Sequence, residues 1–221
     1  MIFLVLLGAP GAGKGTQAAI LSNQLGIPHV ATGDLFRSAV REGSAIGLEA
    51  RRYMERGQLV PDDITVRMLL ARLAEPDAAQ GVILDGFPRT RAQAAALDAA
   101  LFEHGAAVNH ALQIDVPTDE LVRRLSGRWI CRANGHVYNE ATHRPTVAGR
   151  CDLDGSPLIQ RDDDRADTIR ARLAHQLGAL REVSEHYTEL GVLRTIDGRR
   201  SVEDVTAALL SVAGDPSGRG A

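Results

Sequence analysis

Gly8-Ala9-Pro10-Gly11-Ala12-Gly13-Lys14-Gly15-Thr16 decides how the rest of the chain is read. An apolar run from Ile2 to Leu7 precedes it, and Gln17 to Leu25 follows with helical spacing. Strand, glycine-rich turn and helix in that order make a phosphate-binding loop. The glycines let the backbone curl with its N–H groups inward, and the helix N-terminus adds partial positive charge where an anion would sit. Lys14 is then the side chain that reaches the outer phosphates. The spacing G-x4-G-K is that of the Walker A pattern, with one departure: Gly15 follows the lysine and the hydroxyl is displaced to Thr16. Where Ser or Thr follows the lysine directly, its hydroxyl holds Mg²⁺. Here the expectation is a metal held more by phosphates and water.

The 221 residues carry a formal net charge of -3, enough chain for one α/β core with one or two insertions. Lys and Arg form no basic face of the kind that tracks a nucleic-acid backbone, so nucleic acid is not an expected partner. Met1 to Leu7 lacks a basic leader, is too short to span a bilayer and runs straight into the phosphate loop, so it reads as a buried strand and no membrane is expected. With only Cys131 and Cys151, no disulfide framework is implied, and the reducing cytoplasm is the expected location. No coiled-coil pattern or long apolar edge calls for a second copy, so a monomer is expected.

Further along, Gly26 to Ala31 is short and β-compatible, and Thr32-Gly33-Asp34 supplies helix-start chemistry for Leu35 to Arg41. Residues 45–56 and 62–73 have helical spacing and are separated by Gly57-Gln58-Leu59-Val60-Pro61. Val82 to Asp85 is a second buried strand ending in a carboxylate, and Gly86-Phe87-Pro88-Arg89-Thr90 carries it into a helix over 91–103. In open parallel sheets ligands bind beyond the carboxyl ends of the strands, which puts Asp85 beside the phosphate loop if the two strands are neighbours. A strand over 110–116 and a helix over 118–125 follow. From Gly127 to Asp164 the apolar period shortens and Asn134-Gly135 and Asp154-Gly155 mark hairpin turns, so this segment is a small β-rich insertion. A long helix over 165–188, a strand over 192–196 and a helix over 202–212 return the chain to the core; 214–221, poor in apolar residues, reads as frayed. Strand and helix alternate throughout, which argues for a parallel sheet with helices on both faces.

Arginines recur at segment ends: Arg37, Arg89, Arg124, Arg128, Arg161 and Arg172. Transfer of a phosphoryl group between two nucleotides gathers much negative charge in one cleft, and guanidinium forks suit bidentate phosphate contacts. Gly8-x-Pro10-Gly11-x-Gly13-Lys14-Gly15-Thr16, Thr32-Gly33-Asp34, Asp85-Gly86-Phe87-Pro88-Arg89-Thr90 and Arg161-x-Asp163-Asp164 together make the chain resemble the adenylate kinases, over nearly its whole length to about residue 213. The likeness is to the long-lid bacterial type. It implies a P-loop core over 1–31, 61–126 and 165–221, a helical AMP-binding arm over 32–60 and a β-rich lid over 127–164. It implies reversible transfer of the terminal phosphoryl group from ATP to AMP, with Mg²⁺ accompanying ATP.

Carried over by position, the resemblance puts ATP on Gly11, Ala12, Gly13, Lys14, Gly15 and Thr16, on Arg124 and Arg128, on Val137 and Tyr138 of the lid, and on the backbone near Arg200. AMP falls to Thr32, Arg37, Gln58, Leu59, Val60, Gly86, Phe87, Pro88, Arg89 and Gln93. Arg161 and Arg172 fit the pair that clamps the transferring group, so Lys14, Arg89, Arg128, Arg161 and Arg172 carry the catalytic charge. Asp85, Asp163 and Asp164 fit acidic positions near Mg²⁺ and the closed lid. None is a covalent nucleophile, because in-line placement, charge neutralisation and water exclusion supply the catalysis. Gln93 both donates and accepts, which suits an adenine edge. The donor base is less constrained, since long-lid mitochondrial relatives that use GTP resemble this sequence too. Another monophosphate kinase differs only in its base pockets, while a scaffold that merely keeps the loop would have lost Arg89, Arg128, Arg161 and Arg172.

Some relatives hold zinc where this chain has Cys131-x-x-Asn134 and Cys151-x-x-Asp154. Two of four thiolates are absent here, so the residues favour a hydrogen-bonded polar cluster or inert thiols over zinc. A metal would use Cys131, Cys151 and Asp154; His136 or His143 could stand in for a missing ligand, though neither is at the family spacing. Trp129, the only tryptophan, follows Arg128 at the lid hinge, where a large aromatic packs by default.

Overall fold

Alternate residues of the apolar run behind the phosphate loop serve opposite sides of one sheet. In the computed structural model this run is β1 (Ile2–Leu7), followed by α1 (Lys14–Leu25), β2 (His29–Ala31), α2 (Thr32–Arg41), α3 (Ala45–Met54), α4 (Asp62–Leu73), β3 (Gly81–Asp85), α5 (Arg91–Glu103), β4 (His110–Asp115) and α6 (Thr118–Ser126). Three short strands come next, β5 (Arg128–Cys131), β6 (Val137–Asn139) and β7 (Leu158–Ile159), then α7 (Ala166–Glu189), β8 (Leu193–Asp197) and α8 (Val202–Ala213). The structure describes residues 1–56, 58–140, 143–161, 164 and 166–214, without the side chains of 166, 167 and 172. The tail expected to fray lies, from 215 onward, outside the described residues.

Five strands pair in parallel in the order β2-β3-β1-β4-β8. Leu4 and Leu6 of β1 join Ile83, Leu112, Ile114 and Ile196 in one core layer, against α1, α6 and α8. Phe3, Val5 and Leu7 join Val82, Leu84 and Ala111 in the other, against α4 and α5. The period of two along each strand builds both layers from one sheet. α7 serves both: Ile169 and Leu173 pack in the first layer, Val183 and Tyr187 in the second, and Leu180 touches each. The chain winds one way from β1 to reach β2 and β3 and the other way to β4 and β8, so the loop after β1 opens where the winding reverses.

Two excursions leave this sheet. α2 and α3 close over their own cluster of Phe36, Ala50, Val60 and Ile64. β5, β6 and β7 form an antiparallel sheet in the order β6-β5-β7, around Cys131, Tyr138, Cys151 and Leu158. Two helix starts differ from the sequence expectation. α1 begins at Lys14, three residues early, because Gly13 at φ 101° ends the loop and turns the chain into the helix at once. α2 takes in Thr32, with Asp34 in its first turn where a carboxylate favours the helix dipole. No described helix is long and apolar enough to cross a membrane.

Candidate active site

The phosphate loop leaves the carboxyl end of β1 between β3 and β4. Gly8 has φ 146°, and a Cβ there would stand 2.7 Å from the Ile114 carbonyl oxygen, so only glycine lets the loop pass β4. No side chain caps the N-terminus of α1, which leaves its first N–H groups directed into the loop. Lys14 Nζ donates to the carbonyls of Gly8 at 2.8 Å and Ala9 at 3.1 Å, so its charge lies over the loop.

β1 and β3 are neighbours, and Leu6 pairs with Asp85. A Cβ at Gly15 would lie 3.5 Å from Asp85 Oδ2, so any larger side chain after the lysine would be set against that carboxylate. His29 Nε2 stands 3.4 Å from Asp85 Oδ2. Burial opposes ionisation of Asp85, but the His29 contact and the charges of Lys14 and Arg89 outweigh it and hold its carboxyl below the ordinary range. Sequence reasoning missed His29. The signal lies in the register: Ala31 pairs with Asp85 and His29 with Ile83, so His29 falls on the sheet face of Asp85.

Thr32 and Gly86 come together at the ends of β2 and β3, where the Thr32 hydroxyl donates to the Gly86 carbonyl at 2.8 Å. Arg89 Nε donates to the same carbonyl at 2.7 Å, and its Nη1 reaches Gln176 Oε1 at 3.5 Å. Between Gly86 and Arg89, Phe87 is buried in the sheet core and joined to Pro88 by a cis bond. Gln93 is buried and lies against Arg89 and Asp62, while Val60 belongs to the small arm cluster, with Gln58 and Leu59 leading into it. Asp62 was also missed, hidden as one acidic residue in a first helical turn. Arg37 pairs with Asp34, and Arg161 Nη2 stands 3.7 Å from the same Asp34 oxygen, so one carboxylate gathers two of the expected arginines.

On the other side of the loop, Arg124 Nη2 donates to the Gly198 carbonyl at 2.9 Å and its Nε to Glu120 at 2.8 Å. Hydrogen bonds from Arg123 and Arg124 bring the Glu120 pKa down from 4.5 to about 2. Arg200, in the turn after β8, is half-exposed and 3.7 Å from Asp204. Arg128 grips Asp164 through two bonds of 2.7 and 2.5 Å, and the Asp164 side chain is fully buried. Both Asp164 oxygens accept from Arg128, at the segment where the sequence expects an acidic residue near Mg²⁺ and the closed lid. Asp163 and the Arg172 side chain lie outside the described residues. Val137 is exposed on β6, while Tyr138 is buried inside the lid.

In the lid, two turns of the same form face each other. Gly135 N–H donates to the Cys131 carbonyl and Gly155 N–H to the Cys151 carbonyl, each at 2.9 Å. Cys131 Sγ donates to Asp154 Oδ2 at 3.1 Å, His136 Nδ1 is 3.2 Å from Cys151 Sγ, and the Tyr138 hydroxyl is 3.4 Å from the same sulfur. Burial opposes ionisation of Cys151, yet contacts from Tyr138 and His136 win and lower its pKa; the Ser156 N–H, then Cys131 and Asn134, hold Asp154 far below the usual carboxylate range. The ligand atoms of Cys131, His136, Cys151 and Asp154 all lie within 4.8 Å of one another. His136, which linear spacing left outside, is carried in by the turn at Gly135.

A glycine loop on a helix N-terminus, an aspartate beside its lysine and arginines on facing sides define a P-loop nucleotide phosphotransferase. The adenylate kinase family model matches residues 6–192. An adenylate kinase of Salinispora tropica is 46% identical over 215 residues, covering 97% of this chain and 99% of that protein. One of Listeria monocytogenes is 45% identical over 91% of this chain and 94% of its own, and one of Staphylococcus aureus 43% identical over 95% and 97%. The chain belongs to the adenylate kinase family, enzymes whose reaction is ATP + AMP = 2 ADP.

Proposed function

We propose that this chain transfers the terminal phosphoryl group of ATP to AMP, reversibly, with the site residues acting in the following roles. The observation that carries them is the convergence of Lys14, Asp85, Gly86 and Arg89 at the carboxyl ends of β1 and β3. Gly11 to Thr16 and the α1 N-terminus take the ATP phosphates, and Lys14 leaves the loop carbonyls to follow the transferred group. Arg124 and Arg128 approach from the donor side, with Val137, the Tyr138 backbone and the turn at Arg200 beside the donor base. Thr32, the 58–60 stretch, Gly86 to Arg89 and Gln93 hold AMP. Arg37 and Arg161 exchange Asp34 for phosphate, and Arg172 completes the clamp. Asp85, a carboxylate beside Lys14, would face Mg²⁺ bound with ATP, which would supply neutralisation of phosphate charge. Monomeric action in the cytoplasm rests on composition and on two unpaired cysteines.

The lid cluster holds Zn²⁺ on this proposal. With metal–ligand bonds of about 2.0 to 2.3 Å, tetrahedral ligand atoms stand about 3.3 to 3.8 Å apart, close to the separations here. Elemental analysis should find one zinc per chain, lost when Cys131 and Cys151 are both changed to Ser.

The activity test is ADP formation with Mg²⁺ and ATP, offering AMP, CMP, UMP and GMP in turn, and then GTP as donor. Strong turnover with AMP and ATP is expected; transfer to no acceptor would overturn the assignment. Arg89→Ala should damage turnover far more than folding, and an unchanged rate would remove Arg89 from its role.

A further inference from the structure

Gln93 is 1% exposed, yet its carboxamide has no choice of orientation. At one end the backbone N–H of Arg89, which can only donate, meets Oε1 at 2.8 Å. At the other, Nε2 donates to Asp62 Oδ1 at 2.7 Å, and a carboxylate can only accept. Exchanging the amide oxygen and nitrogen would set N–H against N–H and oxygen against carboxylate. Asp62 is fixed in turn: its second oxygen accepts from the Thr90 hydroxyl at 2.8 Å, and Thr90, the N-cap of α5, accepts the Gln93 N–H at 3.1 Å. Residues 62, 90 and 93 close a circuit between the starts of α4 and α5.

A carboxamide has two N–H donors and two acceptor lone pairs. The contacts to Asp62 and Arg89 use one of each, which leaves one donor and one acceptor for a ligand. Adenine presents the complement on its pairing edge, the N1 acceptor beside the N6 amino donor. Hypoxanthine and guanine present the inverse, an N1–H donor beside the O6 acceptor, and would need the amide turned over. A site built to hydrogen-bond one pattern strongly disfavours the ligand that leaves buried groups mispaired.

We propose that Asp62 is a specificity-determining positioning residue: by accepting from Gln93 Nε2 it locks the amide so that the acceptor site takes adenine and refuses 6-oxopurines. This role rests on the assignment of Gln93 to the acceptor base. A merely structural Asp62, favouring the start of α4 through its charge, would leave base choice untouched.

The test is the ratio of kcat/KM for AMP to that for IMP, with MgATP, in the full-length wild type and in Asp62→Ala, Asp62→Asn, Asp62→Ser and Gln93→Leu. IMP differs from AMP only at the edge in question. Asp62→Ala should lower the ratio by about tenfold or more, the scale of a lost buried hydrogen bond to a charged group. Asp62→Asn, whose Oδ1 still accepts from Gln93, should keep most of the ratio. Asp62→Ser keeps a helix-start residue but lacks the reach, and should lose the ratio with Ala even if the Ala variant fails to fold. An unchanged ratio in the Ala or Ser variant, with Gln93→Leu collapsed, would overturn the role of Asp62 alone. An unchanged ratio in Gln93→Leu would instead overturn the assignment of Gln93, and the role of Asp62 with it.

Discussion

The central sheet and the lid are held together by different means. Leu4, Val5, Ile83, Leu84 and Leu112 are fully buried, and helices cover both faces of their sheet. The lid has strands of four, three and two residues around a core of four side chains, two of them thiols. So small a segment buries too little apolar surface to hold itself by burial alone. Its links are polar: Cys131 to Asp154, His136 to Cys151, and the Asp152 N–H to the Tyr138 hydroxyl at 2.8 Å. The sheet is therefore expected to be the stable unit and the lid the part that unfolds first.

The largest effect expected is on the sheet. Leu112→Ala removes a fully buried side chain from an inner strand and should cost about 3 kcal/mol of global stability. Trp129, the only tryptophan, sits on β5, so its fluorescence follows the lid while far-UV circular dichroism is dominated by the helices around the sheet. In urea the Trp129 transition should precede the dichroism transition, and Leu112→Ala should draw the second toward the first. Coincident transitions in the wild type would break the contrast between the two regions.

Metal should sharpen it. If zinc crosslinks the two lid turns, removing it with a chelator should lower the Trp129 midpoint and leave the dichroism midpoint nearly in place. Equal shifts in both would mean that the lid and the sheet unfold as one unit.

The same contrast governs what the sequence disclosed. Phosphate loop, strand order around it and helical covering were legible because period-two apolar runs and a glycine loop are local signals. His29 beside Asp85 and Asp62 beside Gln93 were not, since each depends on register or on two helix starts meeting in space. Gly15 read only as a departure from a pattern until Asp85 was seen behind it. In the lid, linear spacing could not choose between His136 and His143, and a turn at a left-handed glycine brings His136 to the thiols. Asp164 was placed by motif near Mg²⁺ and the closed lid, but its buried pairing with Arg128 is a tertiary fact that no motif carries.

A smaller effect is expected at the junction of the two regions. Glu120 holds Arg124, whose backbone carbonyl accepts from Asn139 of the lid at 2.8 Å. Its folded pKa lies below its ordinary value, so its stabilising effect is present above pH 4.5 and is lost as pH falls from 4.5 toward 2. Glu120→Gln should flatten the fall of the urea midpoint in that window. A variant with the wild-type slope would place the acid sensitivity elsewhere, with Asp85 the next carboxylate to test.

The smallest effect expected comes from two tyrosines that differ only in region. Tyr187 is fully buried in the sheet core, and among the described residues its hydroxyl has no hydrogen-bond partner; burial and then the Asp98 charge push its phenol far above the ordinary range. Its ring packs edge-on against His186, with centroids 5.0 Å apart, so the apolar body serves and the hydroxyl does not. Tyr138 is the reverse case, its hydroxyl joining the Asp152 N–H to Cys151. Tyr187→Phe should therefore leave the stability read by dichroism unchanged or raise it by up to about 1 kcal/mol, the cost of an unmade bond being removed. Tyr138→Phe should lower the stability read by Trp129 by about 1 kcal/mol and not move the other. A loss above about 2 kcal/mol in Tyr187→Phe would mean that the sheet core also depends on a polar link, and that the two regions differ in degree and not in kind.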